Sequence, residues 1–397
     1  MSDILERLGV QRRINAAGTL TRLGGSLMAP EVLAAMQEAA SASVDIAELQ
    51  AAASRVIAGA TGAQAGIVTS GAAAGLTLGT AACLCGWDVR RMAALPETGA
   101  MPNQVLMART HRNSYDHAIR AAGAQIIDIG HNDRGTGAGI RGLEAWEIEA
   151  AINAQTAALV FVATGSSMEG LPAAIEVMHG HGLPVLVDAA AQLPPKANLR
   201  RFIEAGADLV VFSGGKALGG PQSSGILAGR RDLIGSALLQ MLDMDVNPSY
   251  WTPPDLIDRK ALNGVPLHGI GRGFKVGKEE IAGLLTALER YVAADESVAI
   301  GQWQERLAAI AKGLGAAPGL SVRLIAASAA QAVPLVELMV AGSALELSRH
   351  LQSGTPPVHL GERLVGDNIL YINPQTLRPE DDETLVRCLL NALRATS

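Results

Sequence analysis

The chain has few aromatic residues. Four Phe, four Trp and four Tyr give 3% of its 397 residues, while 49% are hydrophobic and 44 are Gly. A core built on large rings is excluded, and many small Ala and Gly contacts are expected instead. Cysteine is equally scarce. Cys83 and Cys85 stand too close for a usual metal pair and no His lies nearby, so they and Cys388 read as free thiols in a reducing cytoplasm rather than ligands or disulfides. Positive charge is not in excess: 32 Lys and Arg face 38 Asp and Glu, a net charge of −6. That balance argues against a broad basic face for nucleic acid. No run of about 18 uncharged apolar residues suggests a membrane span. The nearest candidate, GIVTSGAAAGLTLGTAACLCG, opens on Gly and Ser and reads as a buried loop and helix. The start, MSDILERLGVQRR, has early acids and no apolar h-region, so no secretory signal is expected. No internal repeat and no low-complexity linker stands out.

What is present is a repeating strand, loop and helix. VLMAR (105–109), QIIDIG (125–130), ALVFVA (158–163), PVLVD (184–188) and DLVVFS (208–213) are short apolar runs bounded by Gly, Pro or polar residues. Helix-like stretches separate them, and SSGILAG (223–229) reads as a further strand. This pattern predicts an α/β protein with a mostly parallel central sheet and helices on both faces. The length predicts a second, smaller domain. The expected division is an arm over 1–45 that joins the small domain, a large cofactor-binding domain over 46–296, and a small α+β domain over 297–397.

Ligands of such sheets gather at the carboxyl ends of the strands. Two residues there carry chemistry. Lys216 follows an apolar strand inside VFSGGKALGGPQSSGIL, and Asp188 ends PVLVD, twenty-eight residues earlier. Pyridoxal 5'-phosphate (PLP) needs this pair. A lysine amine forms a Schiff base with its aldehyde. An acid beside the pyridine nitrogen keeps the ring protonated and able to accept electrons. The bland alternative is a surface lysine and a strand-end aspartate.

Other positions join them. VTSGAAAG (68–75) ends a strand and opens a helix, whose free N–H groups suit a phosphate; its spacing is not that of a dinucleotide loop. His111, in RTHRNSYDH, lands at the same sheet edge, to stack on a planar ring or move a proton, or else to serve as a hydrogen-bonded structural histidine. Ser213 is either a phosphate contact or a strand cap. Gly214, Gly215, Gly219 and Gly220 permit tight turns near a ligand; Ala190 and Gly220 are candidate cofactor contacts, and Gln192 and Gln222 candidate polar neighbours of the pocket. GIGRGFKVGKEE (269–280) concentrates Arg272, Lys275 and Lys278, which suit a phosphate or substrate anion as well as a solvated patch. Arg378, in NPQTLRPEDDE, is a second candidate for a carboxylate clamp; the competing reading pairs it with Glu380 or Asp381.

The strings INAAGTLTRLGG, TGAQAGIVTSGAAAGLTLGTAACL, RTHRNSYDHAIRAAGA, PVLVDAAAQLPPKANLRRFIEAGADLVVFSGGKALGGPQSSGIL and IGRGFKVGKEEIAGLLTALERY resemble the selenocysteine-synthase-like branch of PLP-dependent fold-type I enzymes. Within it they resemble the D-glucosaminate-6-phosphate ammonia-lyase type. The resemblance spans roughly residues 13–295 and is vague beyond residue 300. It implies Lys216 as the cofactor lysine, Asp188 as the pyridinium partner, Ser70, Gly71 and Ala72 as the phosphate cradle, and a homodimer or dimer-based oligomer with sites between subunits. Bacterial selenocysteine synthases carry an added N-terminal tRNA-binding region, which this chain does not show before INAAGT; with its acidic balance, no tRNA partner is expected. The expected reaction is proton removal from the α-carbon of an amino acid or amino sugar acid, followed by β-elimination to a 2-oxo acid and ammonia. Racemisation, aldol cleavage and β-replacement share the early steps. A non-catalytic protein that keeps the pocket is the remaining alternative.

Overall fold

The computed structural model describes residues 4–132, 143–165, 167–315, 317–328 and 331–396. Its strands are β1 (Ile14–Ala16), β2 (Ala65–Thr69), β3 (Gln104–Ala108), β4 (Gln125–Ile129), β5 (Thr156–Val162), β6 (Val185–Asp188), β7 (Leu209–Ser213), β8 (Gly225–Gly229), β9 (Leu320–Ile325), β10 (Leu335–Val340), β11 (Val358–Leu364) and β12 (Ile369–Ile372). They form two sheets in two compact units. Residues 28–293 make one, and residues up to 27 together with those from 294 make the other.

The larger unit holds a seven-stranded sheet of order β2-β8-β7-β6-β5-β3-β4. β3 to β7 run parallel, and β8 runs antiparallel to both β2 and β7. Short apolar strands separated by helices give this arrangement because each βαβ crossover returns the chain in the same direction. The sheet is mixed, with mostly parallel strands, as the strand pattern predicts. Helix Ala72–Cys85 lies against it and is buried from Gly75 through Ala82 and again at Leu84 and Cys85. Apolar on every side, it is a core helix; no described helix is long and apolar enough to cross a membrane. Its glycines set its depth: a Cβ at Gly79 would come within 3.2 Å of Leu186, and one at Gly75 within 3.1 Å of Val211. Burial pushes the Cys83 and Cys85 thiols up to about 12, and the three cysteines are free.

Two polar devices fix the ends of this sheet. Asp208 accepts hydrogen bonds from the Val185 amide (2.8 Å), from His179 Nε2 (2.8 Å) and from Arg230 Nη1 (3.1 Å), and so ties together the starts of β6 and β7 and the end of β8. At the β2 edge, helix Ile46–Thr61 satisfies the backbone that a missing strand would have paired. Gln50 accepts from the Val68 amide (3.0 Å) and donates to the Val68 carbonyl (2.8 Å), while the Ser54 hydroxyl accepts from Gly66 (3.1 Å). A sheet edge buried without such partners would be costly.

Helix Pro30–Ala40 belongs to the larger unit. It packs beside helix Lys278–Ala293, where Met36 meets Gly283 and Glu31 pairs with Arg290 at 2.7 Å. Residues 28–45 therefore group with the large unit rather than with the arm expected over 1–45. The smaller unit is α+β. Its five-stranded sheet has the order β1-β11-β12-β10-β9, antiparallel except where β1 lies parallel to β11. Helices Glu296–Leu314, Ala344–Ser353 and Asp382–Thr396 contribute Leu307, Ile310, Leu347, Leu385 and Leu389 to its core.

Candidate active site

The carboxyl edge of the parallel strands brings the predicted chemistry together. Asp188 is the last residue of β6 and is 8% exposed. One carboxylate oxygen accepts from the Ala190 amide at 3.0 Å. Burial raises its proton affinity; the Ala190 hydrogen bond and the positive charge of Lys216 pull it back down. Lys216 follows β7 in a turn closed by the Gly219 amide on the Lys216 carbonyl (2.9 Å). Burial lowers the affinity of its amine for a proton, against the pull of Asp188. Each side chain thus feels the charge of the other inside a poorly solvated pocket.

Glycine builds the turn. The Gly214 amide donates to the Ser224 carbonyl and the Gly220 amide to the Gly214 carbonyl, both at 2.9 Å. A Cβ on Gly214 would lie 2.1 Å from Ser224 Oγ, and one on Gly215 2.8 Å from Gln222 Cα. Ser213 ends β7 half-buried, and Gln222 is exposed.

His111 sits in a short 3-10 turn after β3 and is 7% exposed. Its ring stands edge-on to Phe161, with centroids 4.6 Å apart. Its Nδ1 accepts from the Val162 amide at 3.3 Å, which leaves the proton on Nε2. Burial drops its pKa to about 4, so the ring is neutral at physiological pH. Arg112 binds Asp116 (2.6 Å) and Asp128, and thereby serves the local fold.

The anion cradle lies between β2 and helix Ala72–Cys85. Gly71 is the N-cap, at φ 142°, and no side chain caps the helix. The first-turn amides have no acceptor within the helix. A Cβ at Gly71 would enter open space, whereas one at Gly225 would lie 2.6 Å from the Gly71 carbonyl carbon. Glycine at 225 therefore lets β8 press against the cradle, while Gly71 leaves room for a ligand. Ser70 donates to the Phe274 carbonyl at 2.7 Å and ties the cradle to the segment bearing Arg272 and Lys275. The fit to PLP rests on this donor set: uncapped helix amides for a phosphate, a buried acid for a pyridine nitrogen, and an amine of lowered basicity.

The remaining cations divide. Arg272 is held by Asp243 at 2.6 Å, although its Nε is buried without a partner. Lys275 is exposed and forms no ion pair among the described residues. Lys278 pairs with Glu279 at 2.5 Å. Arg378, in the smaller unit, forks onto Asp381 at 2.8 and 3.0 Å and meets Glu380 at 3.4 Å, the pairing that competes with a clamp role. The sequence reading missed Gln50, Phe161 and Asp243. Of these only Gln50 left a signal, a polar residue on the apolar stripe of its helix.

Residues 107–243 match the protein family described as SelA, L-seryl-tRNA selenium transferase. Over almost its full length the chain is similar to 5'-C-glycyluridine monooxygenase-decarboxylase of a Streptomyces species, at 32% identity covering 97% of this chain and 90% of that one. It is 30% identical to D-glucosaminate-6-phosphate ammonia lyase of Salmonella typhimurium, covering 94% of each. A solved D-glucosaminate-6-phosphate ammonia-lyase superposes with a TM-score of 0.82 at 29% identity over the whole of both chains. Serine palmitoyltransferase from S. paucimobilis, solved with bound PLP and myriocin, shares the fold at a TM-score of 0.54 and 15% identity, over 97% of this chain and 88% of that one. With its mixed, mostly parallel sheet and full-length likeness to these proteins, the chain belongs to the SelA-like family of PLP-dependent fold-type I enzymes.

Proposed function

We propose that this chain binds PLP through Lys216 and acts as a lyase on an amino sugar acid, releasing ammonia and a 2-oxo acid. The observation that carries the reading is the meeting of Lys216 and Asp188 at one buried sheet edge, each shifted by burial and by the other. PLP, when bound, supplies an electron sink beside the substrate amine. In this reading Asp188 would be the residue that holds a proton on the cofactor's ring nitrogen. Ser70, Gly71 and Ala72 receive the phosphate at the helix start, with Ser213, Ala190 and Gly220 as its neighbours. Neutral His111 offers its Nε2–H to the cofactor or substrate. The Lys216 amine, freed when the substrate amine replaces it on the cofactor and less basic than a solvated lysine, would take the proton from the substrate α-carbon. The β-hydroxyl would leave as water, and hydrolysis of the resulting enamine would give the 2-oxo acid and ammonia. Arg272 or Lys275 meets the substrate's anionic end.

The same reading makes the protein a cytoplasmic homodimer or dimer-based oligomer, with a small-molecule substrate and neither nucleic acid nor membrane as partner. Support comes from free cysteines and from the negative net charge.

The test is direct. Borohydride reduction of the yellow protein should fix a pyridoxyl group on Lys216, read by peptide mass. On a separate, unreduced sample, D-glucosaminate 6-phosphate should yield equal amounts of ammonia and 2-oxo acid without oxygen. A label on any other lysine would overturn the assignment. A second reading has its own support in the 32% identity to a monooxygenase-decarboxylase. It predicts oxygen uptake with carbon dioxide release, and an oxygen electrode separates the two.

A further inference from the structure

The smaller unit carries a cavity that none of the residues above occupies. Its sheet is covered by helices on one face, where Val336, Leu338, Leu370 and Ile372 are buried. The alternate residues line the other face. Register sets Gly361 beside Tyr371, Tyr371 beside Glu337 and Glu337 beside Arg323, one row across four strands. Glu337 is already satisfied: Arg323 donates to it at 2.9 Å and the Tyr371 hydroxyl at 3.3 Å.

Beyond this row the pairing of β11 with β12 slips. Gly361 opposes Tyr371, but Leu364 opposes Ile369, so β11 carries an extra residue between them. Such a bulge bends a strand and re-aims a side chain. Here it delivers Arg363, which is exposed and forms no ion pair among the described residues. Gly361 is needed for the close packing, because a Cβ there would lie 3.1 Å from Tyr371 Cβ.

The result is a cavity of about 420 Å³, lined by Arg363, Tyr371, Asn373 and Gln331 over an apolar floor that includes Leu335 and Ile325. No acid is among the described residues that line it. Gln331 spends its amide nitrogen on the Val333 carbonyl (2.9 Å), which leaves its oxygen to accept. Asn373 accepts from Gln375 with its oxygen (2.9 Å) and makes only a long contact, 3.4 Å, with its nitrogen. One guanidinium, one amide donor, one amide acceptor and an apolar floor suit a small hydroxylated acid. Arg378 offers no such site, since its fork is closed by Asp381.

We propose that Arg363 is the anchor of an oxyanion site in this cavity, taking the carboxylate or phosphate of a small sugar acid whose hydroxyls meet Gln331 and Asn373. The choice of sugar acid rests on the lyase reading; the anion site itself does not. Burial and the Glu337 carboxylate raise the proton affinity of the Tyr371 hydroxyl, against the smaller opposing pull of Arg323 and Arg363, so Tyr371 enters the cavity wall as a neutral phenol.

Titration calorimetry on the protein as isolated with its cofactor decides the matter. The probes are 6-phospho-D-gluconate, D-gluconate and D-glucose 6-phosphate. Arg363→Gln should weaken 6-phospho-D-gluconate by about tenfold or more, with Arg363→Lys intermediate and Arg378→Gln unchanged. If the site reads carboxylate, Arg363→Gln weakens gluconate and spares glucose 6-phosphate; if it reads phosphate, the reverse holds. Wild-type-like binding by Arg363→Gln, an equal loss in Arg378→Gln, or no binding of any probe to the unmodified protein overturns the proposal. Because binding is read without turnover, a protein that binds these acids yet eliminates nothing would refute the lyase reading alone.

Discussion

His111 illustrates how one side chain couples fold and chemistry. It is buried and neutral, with a pKa of about 4, while an unfolded chain would protonate it near the ordinary 6.5. Between those values the unfolded state binds more protons, so stability falls as pH falls from about 6.5 to about 4. The shift corresponds to about 2 kcal/mol by pH 5 and about 3 kcal/mol below pH 4. Urea midpoints measured at pH 7 and pH 5 should show this loss in the wild type and a smaller one in His111→Asn. Equal losses would place the acid sensitivity elsewhere. Asp188 tests the other end of the site. Asp188→Ala should retain some cofactor colour yet lose nearly all turnover, because an unprotonated ring is a poor electron sink; absorbance and ammonia release, measured on the same sample, separate the two effects.

Secondary-structure elements are held to close tolerances by residues that look unremarkable in sequence. Gly79 brings its helix to the sheet with only 3.2 Å left for an added Cβ before Leu186. Gly79→Val should therefore cost about 1–3 kcal/mol by overpacking, seen as a lower melting temperature. Gln50 fastens the free edge of β2 through both backbone groups of Val68. Gln50→Leu leaves an amide and a carbonyl unpaired, at about 1–3 kcal/mol each. Since Val68 leads directly into Thr69, Ser70 and Gly71, this variant should also bind PLP more weakly. Unchanged cofactor affinity, measured by cofactor release on dilution, would show that the edge and the cradle are independent.

At the scale of the whole molecule, exposed apolar side chains point to assembly. Tyr250 and Leu267 are 83% and 78% exposed on the segment that leads to Arg272 and Lys275, and a second copy is expected to cover them. Light scattering should give at least a dimer, and mixed Lys216→Ala and Lys275→Ala subunits should recover part of the activity if sites are shared. No recovery after verified subunit exchange would mean that each chain completes its own site.

Local pattern was enough for much of this. Apolar runs bounded by Gly and Pro fixed β3 to β7 because buried parallel strands need continuous hydrophobic side chains, and a similar run marked β8, although its antiparallel direction could not be read from it. Asp188 and Lys216 were legible because strand ends are where such sheets place ligands. In the smaller unit, β1 and β11 went unread: β1 is three residues long and β11 is interrupted by a bulge, and both exist because they pair with each other. Residue chemistry marked Arg272 and Arg378 as cations near candidate loops and named Asp381 as one rival partner of Arg378, but only packing could show that Asp243 holds Arg272 and that Asp381 closes the Arg378 fork. By itself the sequence determined the strand and helix order, the parallel sheet and the lysine–aspartate pair, all set by short-range pattern and backbone stereochemistry. The tertiary structure alone decided which polar groups are spent on one another and which are left for a ligand, because ion pairs, buried edges and a one-residue bulge depend on segments far apart in the chain.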